Sequence, residues 1–225
     1  MSLKPAKKSD LGKRWMSKRR NKPRKMRPEY HLIVTEGTKT EPSYFGALKD
    51  LVNKWYSERI SLRVQGKGVN TVTLFEEAKQ LVNRSPIPYK HVWVVYDTDD
   101  FPSEQINKTA DLCQLNSSES TRYHAVWSNQ CIELWYLLHF SYFQSDIHRH
   151  EYIQKLSDCL SAIQKGRYTK NRADMFEILL PYLSTAIDHA KKLHERNRNK
   201  PPASAAPGTM VHVLLEKLLP YLNVP

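Results

Sequence analysis

Three carboxylates stand where strands should end. Glu36 follows the apolar run His31-Leu32-Ile33-Val34, and Asp97 and Asp99 follow the run His91-Val92-Trp93-Val94-Val95-Tyr96. Successive side chains of an extended chain alternate faces, so Asp97 and Asp99 point the same way. If the two strands are neighbours, about 4.8 Å apart, the three acids crowd one carboxyl edge, where open α/β sheets bind ligands. Acids this close raise one another's pKa unless a cation sits among them. A hard divalent ion, Mg²⁺ or Mn²⁺, answers that need, because it takes oxygen ligands and keeps waters for phosphate oxygens. Such an ion can generate hydroxide, steady a leaving oxygen and neutralise the charge of a phosphodiester. The competing reading has each acid capping the next helix or facing water. Glu133 is a further candidate, lying between Ile132 and Leu134 in the most apolar helical stretch. A carboxylate there is costly unless it is paired or metal-bound, or unless that helix face is exposed.

The elements that must position these acids are legible from periodicity and punctuation. Short strands are predicted over 31–34, 60–64, 91–96 and 123–127. The run at 91–96 is nearly continuously apolar, as suits a central parallel strand. Thr40 is placed to cap a helix whose first turn holds Glu41 and Pro42, with an apolar face of Tyr44, Leu48, Leu51, Val52 and Trp55. Asn70 is placed to cap a second helix, with Leu74, Phe75, Ala78, Leu81 and Val82 inward, and a third is predicted over 103–115. From residue 129 the pattern is helical throughout, over about 130–140, 148–164, 172–196 and 209–220, with Pro181 breaking the third of these. Residues 200–208, with three prolines, read as a loop. Strands alternating with helices argue for a parallel α/β sheet. The expected organisation is a basic tail over 1–28, an α/β core over 29–145 and a helical region over 146–225 packed on that core.

Charge is unevenly placed. Residues 1–28 hold twelve of the 35 lysines and arginines but one of the 23 acids. The remaining chain is thus nearly neutral, with 23 basic against 22 acidic groups. Like charges this dense repel, so the tail is expected to be disordered alone. It reads either as a phosphate-seeking arm or as a solvated tail without a target. Arg19, Arg20, Arg24 and Lys25 in the tail, with Lys39 and Arg167 in the body, are the candidate nucleic-acid contacts. The longest apolar stretch, 131–140, is about half the roughly 20 residues of a membrane span. The basic N-terminus has no apolar core behind it, unlike a secretory signal. Three well-separated cysteines, Cys113, Cys131 and Cys159, exclude a disulfide scaffold and a thiolate zinc site, and point to a reducing, cytoplasmic setting. Gly66-Lys67-Gly68 lacks the context of a phosphate loop and reads as a tight turn. His139 reads as a core or surface residue, and His189 and His194 as surface residues.

Three segments resemble one family. Thr35-Glu36-Gly37-Thr38-Lys39-Thr40-Glu41-Pro42-Ser43-Tyr44-Phe45 is similar to the glutamate motif of RloB-like proteins. Tyr96-Asp97-Thr98-Asp99-Asp100-Phe101 resembles their DxD motif, and Ser128-Asn129-Gln130-Cys131-Ile132-Glu133-Leu134-Trp135, running on to Leu138-His139-Phe140, their third motif. The resemblance covers about residues 28–220. It implies a Toprim-type core, shared with topoisomerases, DnaG-type primases and OLD-family nucleases, in which the glutamate and the DxD aspartates bind Mg²⁺ at a phosphodiester. By the same resemblance Glu133 is similar in position to the helix glutamate that joins the metal shell of OLD-type nucleases. A lysine that would stabilise the phosphorane-like charge is expected near Lys165, Arg167, Lys170 and Arg172, with Lys170 the choice; a solvated basic loop is the other reading. The implied setting is a bacterial restriction or abortive-infection (anti-phage) locus, often beside an ABC- or AAA-class ATPase. Two function classes follow. One is a metal-dependent nuclease acting on DNA or RNA, tRNA included. The other is a non-catalytic nucleic-acid-binding or regulatory subunit of an ATPase complex. A docking role for the stripe Val211, Leu214, Leu215, Leu218 and Leu219 competes with its packing on the protein's own core.

Overall fold

The structure, a computed structural model, describes residues 27–98 and 101–222. Asp99, the tail residues Arg19, Arg20, Arg24 and Lys25, and the expected disorder of the tail lie outside the described residues. The α/β portion comprises β1 (Glu29–Thr35), α1 (Thr40–Tyr56), β2 (Ile60–Gly66), α2 (Thr71–Arg84), β3 (Tyr89–Asp97), α3 (Ser103–Leu115) and β4 (Arg122–Ser128). Its four strands are all parallel, in the order β2-β1-β3-β4. β2 lies at one edge and is buried only at Ile60 and Leu62. β3 is central and buried along nearly its whole length, as its apolar run demands.

Period-two alternation sorts the strand side chains into two cores. Leu32, Val34, Val92, Val94 and Tyr96 pack with Leu74 and Phe75 of α2 and Ile106 of α3. Ile33, Trp93 and Val95 pack on the other face with Tyr44, Phe45 and Leu48 of α1. Helices therefore cover both faces of the sheet. Asn70 caps α2 as its residue type implies, its Oδ1 accepting the Thr73 N–H at 3.1 Å. Thr40 is not a cap; it is the first helical residue of α1, one position after Lys39.

The helical portion comprises α4 (Glu133–Leu137), α5 (Arg149–Ala162), α6 (Met175–Leu179), α7 (Leu183–Arg196) and α8 (Val211–Leu218). The helix expected over 130–140 is regular only over its middle. Gln130 holds a left-handed φ of 63° just before it, and turn-like backbone bonds continue to Ser141. Pro181 splits the helix expected over 172–196, leaving a 3₁₀ turn, Leu180–Tyr182, between α6 and α7. Val211, Leu214, Leu215 and Leu218 are fully buried in the same core as Trp93 and Trp135, which corrects the docking reading of that stripe; only Leu219, at 39%, is exposed. Residues 208–210 close over the end of β4. The Asn129 N–H donates to Gly208 O, and the Met210 N–H to Trp127 O, both at 2.8 Å. Gly208 must be a glycine here, since a Cβ would lie 2.5 Å from Ala205 O. Among the described residues, no helix is long and apolar enough to cross a membrane.

Candidate active site

Strand order creates a crevice. From β1 the chain crosses by α1 to β2 on one side; β3 lies on the other side of β1, and the chain leaves it for α3 on the opposite face. Loops that diverge in this way open a gap between neighbouring strand ends, where open sheets bind ligands. Glu36 and Asp97 sit at that gap. The Glu36 N–H donates to Val95 O at 2.9 Å, extending the β1–β3 pairing. The Glu36 Oε2 then accepts the Asp97 N–H at 3.4 Å. The turn at Gly66-Lys67-Gly68 buttresses the same strand end: the Lys67 N–H donates to Thr35 O at 3.0 Å and the Gly68 N–H to Glu36 O at 2.7 Å. Lys67 Nζ is committed to Glu77 at 3.0 Å, so the turn reading of this segment holds.

A cavity of about 340 Å³ opens there, lined by Glu36, Gly37, Thr38, Lys39, Thr40, Glu41, Asp97, Cys131, Ile132, Glu133, Arg149, Lys170 and Asn171. Four of the five residues read as catalytic thus line one cavity: Glu36, Asp97, Glu133 and Lys170. Asp99 lies outside the described residues. Lys39 also lines the cavity. Arg167 does not; it is exposed on the loop, where its carbonyl accepts a bond from Arg172 Nη1 at 3.4 Å. Glu133, 2% exposed, is not on an outer helix face; its Oε1 accepts the Tyr168 O–H at 2.8 Å. His139 is a core residue, its Nδ1 bonded to Trp135 O at 3.0 Å. His194 is exposed, whereas His189 is half-buried with its Nδ1 at 2.8 Å from Leu138 O.

The fourth carboxylate of the cavity is Glu41, which the sequence reading passed over. It is 7% exposed. Burial pushes its carboxyl up and the charge of Glu133 adds to that, while backbone N–H groups of Glu41 and Gly37 and the charge of Lys170 oppose it. Gly37 lets this carboxylate lie where it does, because a Cβ there would fall 2.1 Å from Glu41 Oε2. Burial, with the charges of Glu133 and Asp97, raises the Cys131 thiol far above its usual range and keeps it protonated. The available donors are therefore carboxylate oxygens, the set a hard divalent ion takes. Buried like-charged groups around an open cavity fit such an ion, which would remove the electrostatic cost that Glu41 now bears. Tyr168 and Arg149 were also missed. Their only signal would have been membership of segments folded back over the β1 and β3 ends, which local patterning does not reveal.

A second titratable cluster lies at the opposite edge. Glu29, His31 and His91 each offer a ligand atom within 4.8 Å of the others. Hydrogen bonding argues against a metal there. The Trp93 indole N–H can only donate, and it does so to His31 Nδ1 at 3.2 Å. The neutral His31 proton therefore sits on Nε2, which donates to Glu29 Oε1 at 2.9 Å and offers no lone pair. His91 Nδ1 pairs with His124 Nε2 at 2.8 Å, and Lys217 Nζ reaches Glu29 Oε1 at 3.4 Å.

The sequence model of a family described as RloB-like protein matches residues 31–218. No curated protein and no solved structure matches the chain.

Proposed function

The chain belongs to the RloB-like family, and from that premise we propose that it is a divalent-metal-dependent nuclease that hydrolyses phosphodiester bonds of nucleic acid. The observation that carries this reading is the convergence of Glu36, Asp97, Glu41 and Glu133 on one cavity at the switch point of a parallel sheet. Glu36, Asp97 and Glu133 would hold the ion, with Asp99 joining them by the family resemblance of the DxD motif; Glu41 lines the same cavity. Mg²⁺ or Mn²⁺ bound there would neutralise the phosphodiester and make water a better nucleophile at neutral pH. The chain's own residues do the rest. Glu36 is fixed across the strand gap by the Asp97 N–H. Tyr168 holds the buried Glu133 carboxylate in a single orientation. Gly37 lets Glu41 approach the backbone. Lys170, exposed at the rim, would meet the negative charge that grows on the phosphoryl oxygens during in-line attack. The family association further suggests an anti-phage setting in which an ABC- or AAA-class ATPase restrains or triggers cleavage.

The test is incubation of the full chain with pooled tRNA, plasmid DNA and single strands, with Mg²⁺ or Mn²⁺ against EDTA, with and without the neighbouring ATPase. Cleavage that needs the metal is the expected result. Intact binding without metal-dependent cleavage, with the ATPase present, would instead support the role of a non-catalytic nucleic-acid-binding subunit.

A further inference from the structure

The cavity is lined by carboxylates and by three cationic side chains, Lys39, Arg149 and Lys170, and one of these, Arg149, has no part in the proposed chemistry. Arg149 is the first residue of α5, a 14-residue helix, and its half-buried side chain lines the cavity beside Lys170 and Asn171. Glu36 follows β1, Glu41 lies in the first turn of α1 and Asp97 ends β3, whereas Glu133, Arg149, Lys170 and Asn171 come from the helical portion. The two sides are tied at the rim, where the Thr40 Oγ1 donates to Asn171 Oδ1 at 3.2 Å. Thus α5 and the loop before α6 hold Arg149 and Lys170 against an acid-lined cavity.

A guanidinium differs from an ammonium in what it can recognise. Its planar fork matches two oxygens of one phosphate and never loses its charge, whereas a lysine acts as a point charge. We propose that Arg149 is a phosphate-binding residue that grips one backbone phosphate of the substrate strand and so sets which bond lies over the carboxylates. This deepens the nuclease reading and rests on it for the position of the cleaved bond. Lys170 meets the reacting phosphate at the rim, and Arg149 holds the strand from the α5 side.

The experiment measures binding separately from cleavage. Affinities of wild type, Arg149→Gln and Arg149→Lys for a single-stranded oligonucleotide are measured in EDTA across a salt series. A set of oligonucleotides, each with one neutral methylphosphonate, is then walked past the protein. Arg149→Gln is expected to weaken binding about tenfold, as the loss of a charged hydrogen bond does. It should also reduce the log-log salt slope by about 0.7, the loss of one contact on a single strand. Arg149→Lys should keep the wild-type slope while recovering only part of the affinity. One methylphosphonate position should weaken wild type yet leave Arg149→Gln unaffected, and with Mg²⁺ the glutamine variant should raise KM while kcat stays within threefold. An unchanged slope in both variants, or equal sensitivity of wild type and Arg149→Gln at every position, would overturn the proposal. Circular dichroism melts confirm that each variant is folded, and Arg149→Lys carries the test should the glutamine variant unfold. Absence of cleavage by wild type would defeat the nuclease reading while leaving these binding comparisons standing.

Discussion

The two edges of one sheet treat their titratable groups in opposite ways. At the amino edge, Glu29, His31, His91 and His124 are joined by hydrogen bonds and close contacts, ended by the Trp93 donor and by the Lys217–Glu29 ion pair. Burial is the largest cause that lowers His31, His91 and His124, each to about 4, so all three stay neutral and partnered at neutral pH. At the carboxyl edge, Glu36, Asp97, Glu41 and Glu133 share one sign of charge and line an open cavity. Burial alone therefore does not mark a functional group. The amino-edge groups neutralise one another and stabilise the fold; at the carboxyl edge two buried and two half-buried carboxylates line one cavity, an arrangement that suits a cation.

The largest effect is expected at the carboxyl edge. Glu36→Gln should reduce metal-dependent cleavage by about a thousandfold, since a lost metal ligand removes several kcal/mol of transition-state stabilisation. Its melting temperature in EDTA should hold or rise, because one of four crowded charges is gone. A melt alongside a timed cleavage assay reads both.

Acid should act at the amino edge. The folded pKa values of His31, His91 and His124 lie below the usual 6.5, so the unfolded chain takes up protons first as pH falls. Stability should be level above pH 6.5 and decline between about 6.5 and 4, by at most about 1.4 kcal/mol per pH unit for each proton. The partial exposure of His124 keeps the slope below that ceiling. Urea melts across this range measure it, and a flat profile would deny that these histidines are held neutral.

Trp93→Phe removes the donor to His31 Nδ1 inside the core. The unmet acceptor should cost about 1–3 kcal/mol, lowering the melting temperature while leaving cleavage per folded molecule unchanged. Gly37→Ala should do the reverse on a smaller scale. Its methyl displaces the Glu41 carboxylate, the free end of a flexible side chain. Metal affinity should fall about tenfold, the scale of a disturbed metal surround, with little change in melting.

Much of this was legible in the sequence because strand periodicity is local. The run ending at Asp97 and the shorter run ending at Glu36 located both acids at strand ends, and the structure supplied what the sequence lacks, the adjacency of β1 and β3. The third helix, Ser103–Leu115, has the bounds its pattern indicated. Glu41 was hidden by its ordinary explanation, since an acid in a first helical turn favours the helix dipole. Arg149 and Tyr168 reach the site only through long-range folding of the helical portion, which no local pattern encodes. The histidines of the amino edge sit within apolar strands, where period-two alternation marks them as inward-facing but not as partners of one another.

We propose that the divalent ion binds at the carboxyl edge of the sheet and not among the histidines of the amino edge. Titration of Mn²⁺, a stand-in for Mg²⁺, into wild type, Glu36→Gln, Asp97→Asn and Glu29→Gln, followed by calorimetry, tests it most directly. Binding is expected in wild type and Glu29→Gln and is expected to be lost in Glu36→Gln and Asp97→Asn. No binding by wild type, or binding that survives in the carboxyl-edge variants and disappears in Glu29→Gln, would contradict it.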